Sequence, residues 1–264
     1  MDWVSVGKAI TISAEHGTGP GHLQAQVPFF WTSRPYIGSK ELWQTLEVSV
    51  VMLTTDPTKP MVQSAMRAVM ETVPKPFELI VNHVSGSEFG FSKGINHMVK
   101  GARGDNIILL NDDCMPSTGW VEKLLELAKD PDVGIVGGLP EGASDKFVTF
   151  GLVLIKSKVF QKIGGLDERY RLGNEDEDFC LRAVAAGFKI RQVDVGAVHS
   201  KNTSSRTLRA TNLHVRSNVT FAIDHGYSPV RVVARAIWAI SFNLRYAARG
   251  FPLAVTLRKL KHRL

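Results

Sequence analysis

The sequence is poor in the residues and segments that mark several classes of protein. Its 264 residues include two cysteines, Cys114 and Cys180, which are too few and too far apart for a disulfide framework or a zinc cluster. No apolar run reaches the ~18 residues that a membrane-spanning helix requires. The first residues lack the basic and apolar regions of a secretory signal. We therefore expect a globular protein in a reducing, cytoplasmic compartment.

Acidic residues are missing from the C-terminal end of the sequence. From His225 to Leu264 there are eight Lys or Arg and no Asp or Glu, whereas the preceding 224 residues carry 24 basic and 25 acidic residues. The net charge of +7 therefore belongs to this end of the chain. A charge excess confined to one segment is typical of a tether rather than of a basic catalytic domain.

The same segment has a helical pattern. At about 100° per residue, one side of the helix holds arginines and aromatic residues and the opposite side holds aliphatic residues. The first set is Arg231, Arg235, Arg245, Arg249, Trp238 and Phe242, and the second is Val233, Ala236, Ile240 and Leu244. Two alternatives follow: a helix packed on the catalytic domain with a solvated basic face, or a helix on an anionic membrane surface that serves a lipid-linked acceptor. Nucleic acid is not expected, because no recognised nucleic-acid motif accompanies the charges.

Short apolar runs alternate with helical patterns from Glu47 onward. This alternation predicts an α/β fold with a mostly parallel central sheet flanked by helices. The predicted strands cover residues 47–54, 77–81, 106–111, 133–138, 147–155 and 189–195, with a further short strand up to His199; the predicted helices cover 60–73, 92–102, 117–128, 157–163 and 176–186. Residues 1–46 lack strong periodicity and are expected to form an irregular N-terminal extension.

Asn111, Asp112 and Asp113 follow a strand that reads as fully buried. Ligands of open α/β sheets bind at the carboxyl ends of the strands. Two carboxylates that emerge together from an apolar strand repel each other and lose hydration, and a divalent cation that bridges phosphate oxygens compensates for both. The alternative is a solvated turn, in which Asp and Asn are common.

A second acidic cluster, Glu175 to Asp178, stands at the start of a predicted helix. Carboxylates in a first helical turn are favoured by the helix dipole, which accounts for one or two of them. Four in succession after a Gly-Asn pair favour a site in which one carboxylate deprotonates an acceptor hydroxyl. Asp178 and Arg182 have the spacing of a helix ion pair. His199, after the next strand, is either a metal ligand or a structural histidine.

In their order and spacing, these segments resemble the inverting, GT-A-fold glycosyltransferases of family 2, from about Val48 to His199. SVVMLTTD looks like the family's first strand and nucleotide-site loop. FGFSKGINHMVKGARGDNIILLNDDCMPSTGWVEKLLE is similar to the stretch that leads through the DxD-type motif. GLVLIKSKVFQKIGGLDERYRLGNEDEDFCLRAVAAGFKI resembles the acceptor-side segment with its ED motif.

The resemblance implies a role for each of several residues. Asp176 matches the catalytic base, with Glu175 in support. The metal ion, Mn²⁺ or Mg²⁺, is implied at Asp113, His199 and Asp112. Substrate contacts are implied at Thr54, Asp56, Asn82, His83, Lys93, Asn96, Asp112, Asp178 and Arg182, and Trp120 matches a structural or site-supporting position.

Two positions depart from the family's pattern. The first DxD position is Asn111, which leaves Asp113 as the strong carboxylate ligand. The second strand normally ends in an Asp that contacts the nucleotide base; here Asn82 or His83 stands in its place, and Asp56 is a substitute. The donor base therefore stays open among UDP-, GDP- and dTDP-linked sugars.

The resemblance implies a metal-dependent, hexosyltransferase-like enzyme of cell-wall or polysaccharide biosynthesis, acting on a glycan or lipid-linked hydroxyl. The expected organisation is an extension (1–46), a GT-A domain (47–224) and a basic helical tail (225–264), with the enzyme cytoplasmic or peripheral on the inner membrane face. A nucleotidyltransferase would carry a Gly/Arg/Lys-rich loop where this chain has LTTDPTKP. A second alternative is a non-catalytic nucleotide-binding or scaffold protein of the same fold that acts through its tail.

Overall fold

The structure is a computed structural model that describes residues 9–14, 46–74, 76–84, 90–140, 147–200 and 208–249. The strands are β1 Ala9–Ala14, β2 Leu46–Thr54, β3 Phe77–His83, β4 Gly104–Leu110, β5 Cys114–Met115, β6 Val133–Gly137, β7 Leu152–Lys156, β8 Lys189–Gln192 and β9 Val198–His199. The helices are α1 Pro60–Thr72, α2 Phe91–Val99, α3 Trp120–Ala128, α4 Ser157–Ile163, α5 Glu175–Ala185, α6 Leu208–Asp224 and α7 Pro229–Arg249.

The described strands form one mixed sheet of seven in the order β1-β3-β2-β4-β7-β6-β8. Its centre is parallel, since β2 pairs in parallel with both β3 and β4. β7 runs antiparallel to β4 and β6, and β6 pairs in parallel with β8. The carboxyl ends of β3, β2 and β4 therefore meet at one edge of the sheet, as the sequence pattern predicts.

The central strands are apolar on both faces because helices cover both faces of the sheet. Along β2, Val50 and Met52 belong to a core that includes residues of α1 and α3. Val51 and Leu53, which alternate with them, belong to a second core that includes residues of α2, α4 and α5. This two-sided burial fixes the register of β2 and so the position of the residues that follow it.

A small second sheet connects two distant parts of the chain. β5 and β9 pair antiparallel, with Cys114 opposite His199 and Met115 opposite Val198. The main-chain N–H of Ser200 donates to the carbonyl of Asp113 at 2.9 Å and extends this pairing. The pairing brings the acidic turn after β4 next to His199, 86 residues away by position in the sequence.

Three expectations from the sequence need correction. Residues 1–46 are not irregular throughout, because Ala9–Ala14 forms β1, which pairs antiparallel with β3. The strand predicted over 147–155 begins only at Leu152, because the chain turns at Phe150 and Gly151. Helix α3 begins at Trp120 rather than Ser117, whose hydroxyl instead donates to the carbonyl of Val195.

The C-terminal part contains a helix that the sequence did not indicate, α6, as well as the expected helix α7. The inner side of α7 is formed by Val232, Arg235, Ala236 and Ala239. The predicted orientation of α7, with its basic face in solvent, is therefore wrong at two positions. Arg235 faces inward and Val233 faces solvent. None of the described helices is long and apolar enough to span a membrane.

Candidate active site

The first part of the site lies at the carboxyl ends of β2 and β4. The hydroxyl of Thr54, the last residue of β2, donates to Oδ2 of Asp112 at 2.6 Å. The main-chain N–H of Asp56 donates in turn to the Thr54 hydroxyl. Burial raises the pKa of the Asp112 carboxyl, while the bond from Thr54 opposes that rise. Thr54, Asp56 and Asp112, all predicted to contact substrate, are thus brought together at one edge of the sheet.

The end of β3 adds Asn82 and His83 to the same edge. The imidazole Nε2 of His83 lies 3.0 Å from the carbonyl of Thr55, in the loop after β2. Asn82 is buried, and its side-chain oxygen has no hydrogen-bond partner among the described residues. A buried amide oxygen without a partner is costly unless a ligand or water satisfies it. Asn82 is therefore a candidate contact for the donor.

Asp113 and His199, the predicted metal ligands, lie next to each other. Oδ1 of Asp113 lies 3.0 Å from Nε2 of His199; Asp113 is buried and His199 is partly accessible. Gly151 lies beside His199: a Cβ atom there would stand 2.9 Å from Cδ1 of Leu139 and 3.4 Å from Cε1 of His199. A side chain at this position would therefore crowd Leu139, next to His199.

The two side chains, one carboxylate and one imidazole, are compatible with a divalent cation that takes further ligands from outside the described residues. The described residues contain no group of three or more His, Cys, Asp or Glu side chains that would hold a metal alone. Mg²⁺ and similar ions are commonly bound by one or two carboxylates together with substrate phosphates and water. Asp113 and His199, with Asp112 adjacent in sequence, fit that mode of binding.

The second part of the site is the start of α5. Gly173 and Asn174 both have left-handed backbone conformations, with φ of 83° and 70°. Asn174 is the single non-glycine residue with positive φ among those described, and such strain is often found at functional sites. This turn brings the acidic residues into the first turn of α5, where the helix dipole stabilises their charge.

The two acids of the ED motif occupy different environments. Glu175 is buried and its Oε2 has no partner in the described chain. Burial, followed by the charge of Asp176, raises the pKa of Glu175. Asp176 is partly accessible and accepts a hydrogen bond from the Glu177 main chain. Burial raises its pKa as well, against the opposing effect of its main-chain hydrogen bonds. A raised pKa keeps a carboxylate basic enough to accept a proton near neutral pH.

A short segment, Phe150–Gly151, joins the two parts of the site. The ring of its first residue packs edge-on against the ring of Phe179 in α5, with centroids 5.8 Å apart, and its main chain helps to lower the pKa of Asp176. Its second residue accepts a hydrogen bond from the N–H of Asn111 at 2.9 Å. One dipeptide therefore contacts the helix that carries the candidate base and the turn that carries the candidate metal ligand.

Helices α6 and α7 contact the start of α5. Arg235 on α7 lies 2.8 Å from Oε2 of Glu177, which also accepts a hydrogen bond from Asn174. On α6, the ring of His214 lies against Gly173, where a Cβ atom would stand 2.4 Å from it. The sequence motifs do not predict these contacts. The one signal in the sequence is a glycine, Gly173, directly before the acidic start of a helix.

The predicted residues of α2 have a different arrangement. Lys93 is exposed in the first turn of the helix. The amide of Asn96 donates to the carbonyl of Leu166 and accepts from its N–H, both at 2.8 Å. Asn96 also donates to Glu168. It therefore holds the connection between α4 and α5, and its contact with nucleotide stays a prediction.

Asp178 and Arg182 form the predicted ion pair, at 2.8 Å. Asp178 is buried and also lies 3.2 Å from Nε2 of His225, beyond α6. The guanidinium of Arg182 donates to the carbonyls of Ile163 and Gly165. These contacts give both residues a structural role, and their contact with substrate stays a prediction. Trp120 is likewise structural: it is buried in the core.

Comparison with known families identifies the protein's class. Residues 54–187, about half of the chain, match the family described as glycosyl transferase family 2. The chain belongs to this family. The matched range includes the Thr54–Asp112 contact, Asp113 and the whole of α5, whereas His199, α6 and α7 lie outside it. Glycosyl transfer is therefore the reaction class that membership supports.

Two relatives illustrate the family at the level of sequence. The chain is 26% identical over 153 residues to the O-antigen biosynthesis protein RfbC of Myxococcus xanthus, covering 42% of this chain and 12% of that protein. It is 26% identical over 133 residues to the pre-mycofactocin glycosyltransferase of Mycobacterium tuberculosis, covering 39% of this chain and 28% of that protein. The chain thus matches only a minor part of each relative.

A solved structure supports the GT-A fold of this family 2 member. The mannosyltransferase PcManGT of Pyrobaculum calidifontis, determined in complex with GDP-Man and Mn²⁺, matches with a TM-score of 0.53. The match covers 82% of this chain and 79% of that one, at 14% sequence identity. At this identity the likeness concerns the fold, a mixed α/β sheet flanked by helices.

Proposed function

We propose that this family 2 protein is an inverting, hexosyltransferase-like enzyme that moves a sugar from a nucleotide-diphosphate sugar to an acceptor hydroxyl. The observation that carries the proposal is the contact of Phe150–Gly151 with both parts of the site, through Phe179 of α5 on one side and Asn111 on the other. Glycosyl transfer requires the group that stabilises the leaving diphosphate and the base for the acceptor hydroxyl to lie close together. Phe150–Gly151 connects the segments that carry the residues suited to these two tasks, Asp113 and Asp176.

The donor nucleotide binds at the carboxyl ends of β3, β2 and β4. Thr54 holds Asp112 in place, and Asp56 and His83 line the loop after β2. The unpartnered oxygen of Asn82 accepts a hydrogen bond from the base. UDP-, GDP- and dTDP-linked sugars all remain candidates for the donor.

Asp113 and His199 would hold a divalent cation, Mn²⁺ or Mg²⁺, with Asp112 beside them. When bound, such an ion neutralises the charge that develops on the departing diphosphate. The mannosyltransferase PcManGT was determined with Mn²⁺, which supports a divalent ion here. The residues present fit it, because they supply one carboxylate oxygen and one imidazole nitrogen at 3.0 Å from each other.

Asp176 removes the proton of the acceptor hydroxyl as that oxygen attacks the anomeric carbon. A single displacement of this kind inverts the configuration, and it needs a base because an alcohol is a weak nucleophile at neutral pH. Burial keeps the pKa of Asp176 above its ordinary value, which strengthens it as a base. Glu175, buried behind it, supports the geometry of the helix start.

The acceptor is a glycan or a lipid-linked hydroxyl, and the enzyme acts in the biosynthesis of a cell-wall or surface polysaccharide. The O-antigen biosynthesis protein among its relatives supports this assignment. The enzyme is placed by this proposal in the cytoplasm, peripheral to the inner face of the membrane, where the basic C-terminal segment would meet anionic lipid.

The direct test is turnover of a panel of nucleotide-diphosphate sugars with Mn²⁺, with release of nucleoside diphosphate measured by a coupled assay. We expect one donor to be consumed faster with a sugar or lipid-linked acceptor than with water alone. A protein that binds a nucleoside diphosphate but consumes no donor would instead be a non-catalytic binding protein of this fold.

A further inference from the structure

A row of exposed aliphatic side chains runs along α7. Val230, Val233, Ile237 and Ile240 are 78%, 58%, 61% and 44% exposed. At about 100° per residue these four positions fall within roughly an 80° arc, so they form one continuous face. We call these four residues the apolar stripe of α7.

The apolar stripe lies on the outer side of a helix whose inner side is already packed. Arg235 points inward, with its guanidinium 4.4 Å from the ring centroid of Phe221 and 2.8 Å from Glu177. Ala239 is fully buried. A surface helix normally directs its aliphatic residues to the core, so a second aliphatic face directed to solvent needs another explanation.

The charges around the apolar stripe indicate its partner. Arg231, which is exposed, and Trp238, 48% exposed, flank it on one side. The sequence from His225 to Leu264 has eight basic and no acidic residues. Aliphatic residues flanked by Arg and Trp are the composition of helices that lie in the interface of an anionic bilayer. A second copy of the chain is disfavoured, because it would bring two such cationic segments together.

We infer that the apolar stripe of α7 lies on an anionic lipid membrane, with Arg231 at the level of the headgroups. This inference rests on the proposed function in one respect: the membrane contact would bring the acceptor side of the enzyme to a lipid-linked acceptor. Through Arg235 and Glu177, α7 is fixed to α5, which carries the candidate base. The membrane contact and the acceptor site therefore belong to adjoining helices.

The test is co-sedimentation of the full chain with vesicles of phosphatidylcholine alone and of phosphatidylcholine mixed equally with phosphatidylglycerol. The double variant Val233→Ser/Ile237→Ser removes the middle of the apolar stripe without touching a buried residue. The matched control is Val198→Ser, an equally exposed valine (66%) on β9. Circular dichroism and thermal unfolding establish that all three proteins are folded.

We expect the wild type and the control to bind the anionic vesicles, and the double variant to bind about tenfold more weakly or worse, since two buried aliphatic side chains are lost. Equal binding by the double variant and the wild type would overturn the inference and leave the basic residues as the sole contact. No binding by the wild type would also overturn it; a dimer that the double variant loses would then assign the apolar stripe to a second copy. Because vesicle binding needs no donor sugar, its failure would leave the proposed reaction untouched.

Discussion

The guanidinium of Arg235 lies 2.8 Å from the carboxylate of Glu177, the residue that follows the candidate base Asp176. The same carboxylate oxygen accepts a hydrogen bond from Asn174, in the turn before α5. Arg235 is also stacked on Phe221 and Tyr227, at 4.4 and 5.5 Å from their ring centroids. An arginine from the basic C-terminal segment therefore helps to order the first turn of α5.

Replacing Arg235 with Gln should shift the acid limb of the kcat profile to higher pH. The charge of Glu177 already raises the pKa of Asp176, and it would act more strongly without its counter-ion. A partly exposed ion pair of this kind is worth up to ~1 kcal/mol, or about fivefold in rate at the lower pH values. We expect KM for the donor to be unchanged, and Arg235→Lys to restore most of the wild-type profile.

Two variants serve as controls for this effect. Glu177→Gln should move the acid limb to lower pH, because it removes the charge that opposes ionisation of Asp176. Arg231→Gln, at an exposed position four residues earlier on α7, should leave the profile unchanged. An identical profile for Arg231→Gln and Arg235→Gln would mean that the ion pair with Glu177 does not act on the base.

The variant Asp176→Asn should lose about 100-fold or more in kcat, since it cannot accept the acceptor proton. Its affinity for the donor nucleotide should stay close to that of the wild type, as measured by calorimetry. Asp105→Asn, at an exposed position in β4, is the matched control and should retain full activity. Equal losses of turnover and of nucleotide affinity in Asp176→Asn would count against the role of Asp176 as base.

The buried carboxyl of Glu175 should make the protein less stable as the pH rises. Its folded pKa is raised above the ordinary value of 4.5 by burial. Between the unfolded and the folded pKa, the folded state therefore binds more protons than the unfolded state. The free energy of unfolding should accordingly fall by about 1.4 kcal/mol for each pH unit through that interval.

The variant Glu175→Gln should remove this dependence and gain stability relative to the wild type as pH increases. Chemical denaturation over a series of pH values measures it, with Glu122→Gln, an exposed glutamate on α3, as the control that keeps the wild-type slope. Parallel curves for wild type and Glu175→Gln would show that Glu175 titrates normally in the folded protein.

Replacing Gly173 with Ala should destabilise the protein by about 2–4 kcal/mol. The cost combines a left-handed backbone position, unfavourable for residues with a Cβ, with crowding against the ring of His214 at 2.4 Å. Gly119→Ala separates the two causes, because Gly119 has a φ of 79° and open space around it. A Gly173→Ala protein no less stable than Gly119→Ala would show that α6 does not pack tightly against this turn.

The sequence is sufficient to predict the central sheet and the position of the acidic residues at its edge. Buried strands such as β4, which ends in the run from Ile107 to Leu110, carry apolar stretches that are easy to recognise. Asp112 and Asp113 directly follow such a run, so their place at the carboxyl end of β4 depends on local pattern alone. The pairing of Asp113 with His199 came instead from the family resemblance, and the structure brings the two together through β5 and β9.

The contacts between helices could not be predicted from the sequence. α6 has a weakly amphipathic sequence that buries Ser217 and Asn218, so its periodicity gives little signal. The inward position of Arg235 depends on the aromatic rings of Phe221 and Tyr227, which lie outside α7. The periodicity of the α7 sequence therefore cannot predict it. Asn96 matched a nucleotide-framing position by motif, yet its amide is committed to the main chain of Leu166.

The most direct test of this account is calorimetric titration of nucleoside diphosphates with and without Mn²⁺ or Mg²⁺, on the wild type, Asp113→Ala and Asp105→Asn. We predict that one nucleotide binds in a metal-dependent manner, that Asp113→Ala abolishes this dependence and that Asp105→Asn preserves it. Metal-dependent binding that survives unchanged in Asp113→Ala, or no binding of any nucleotide under either metal, would contradict it.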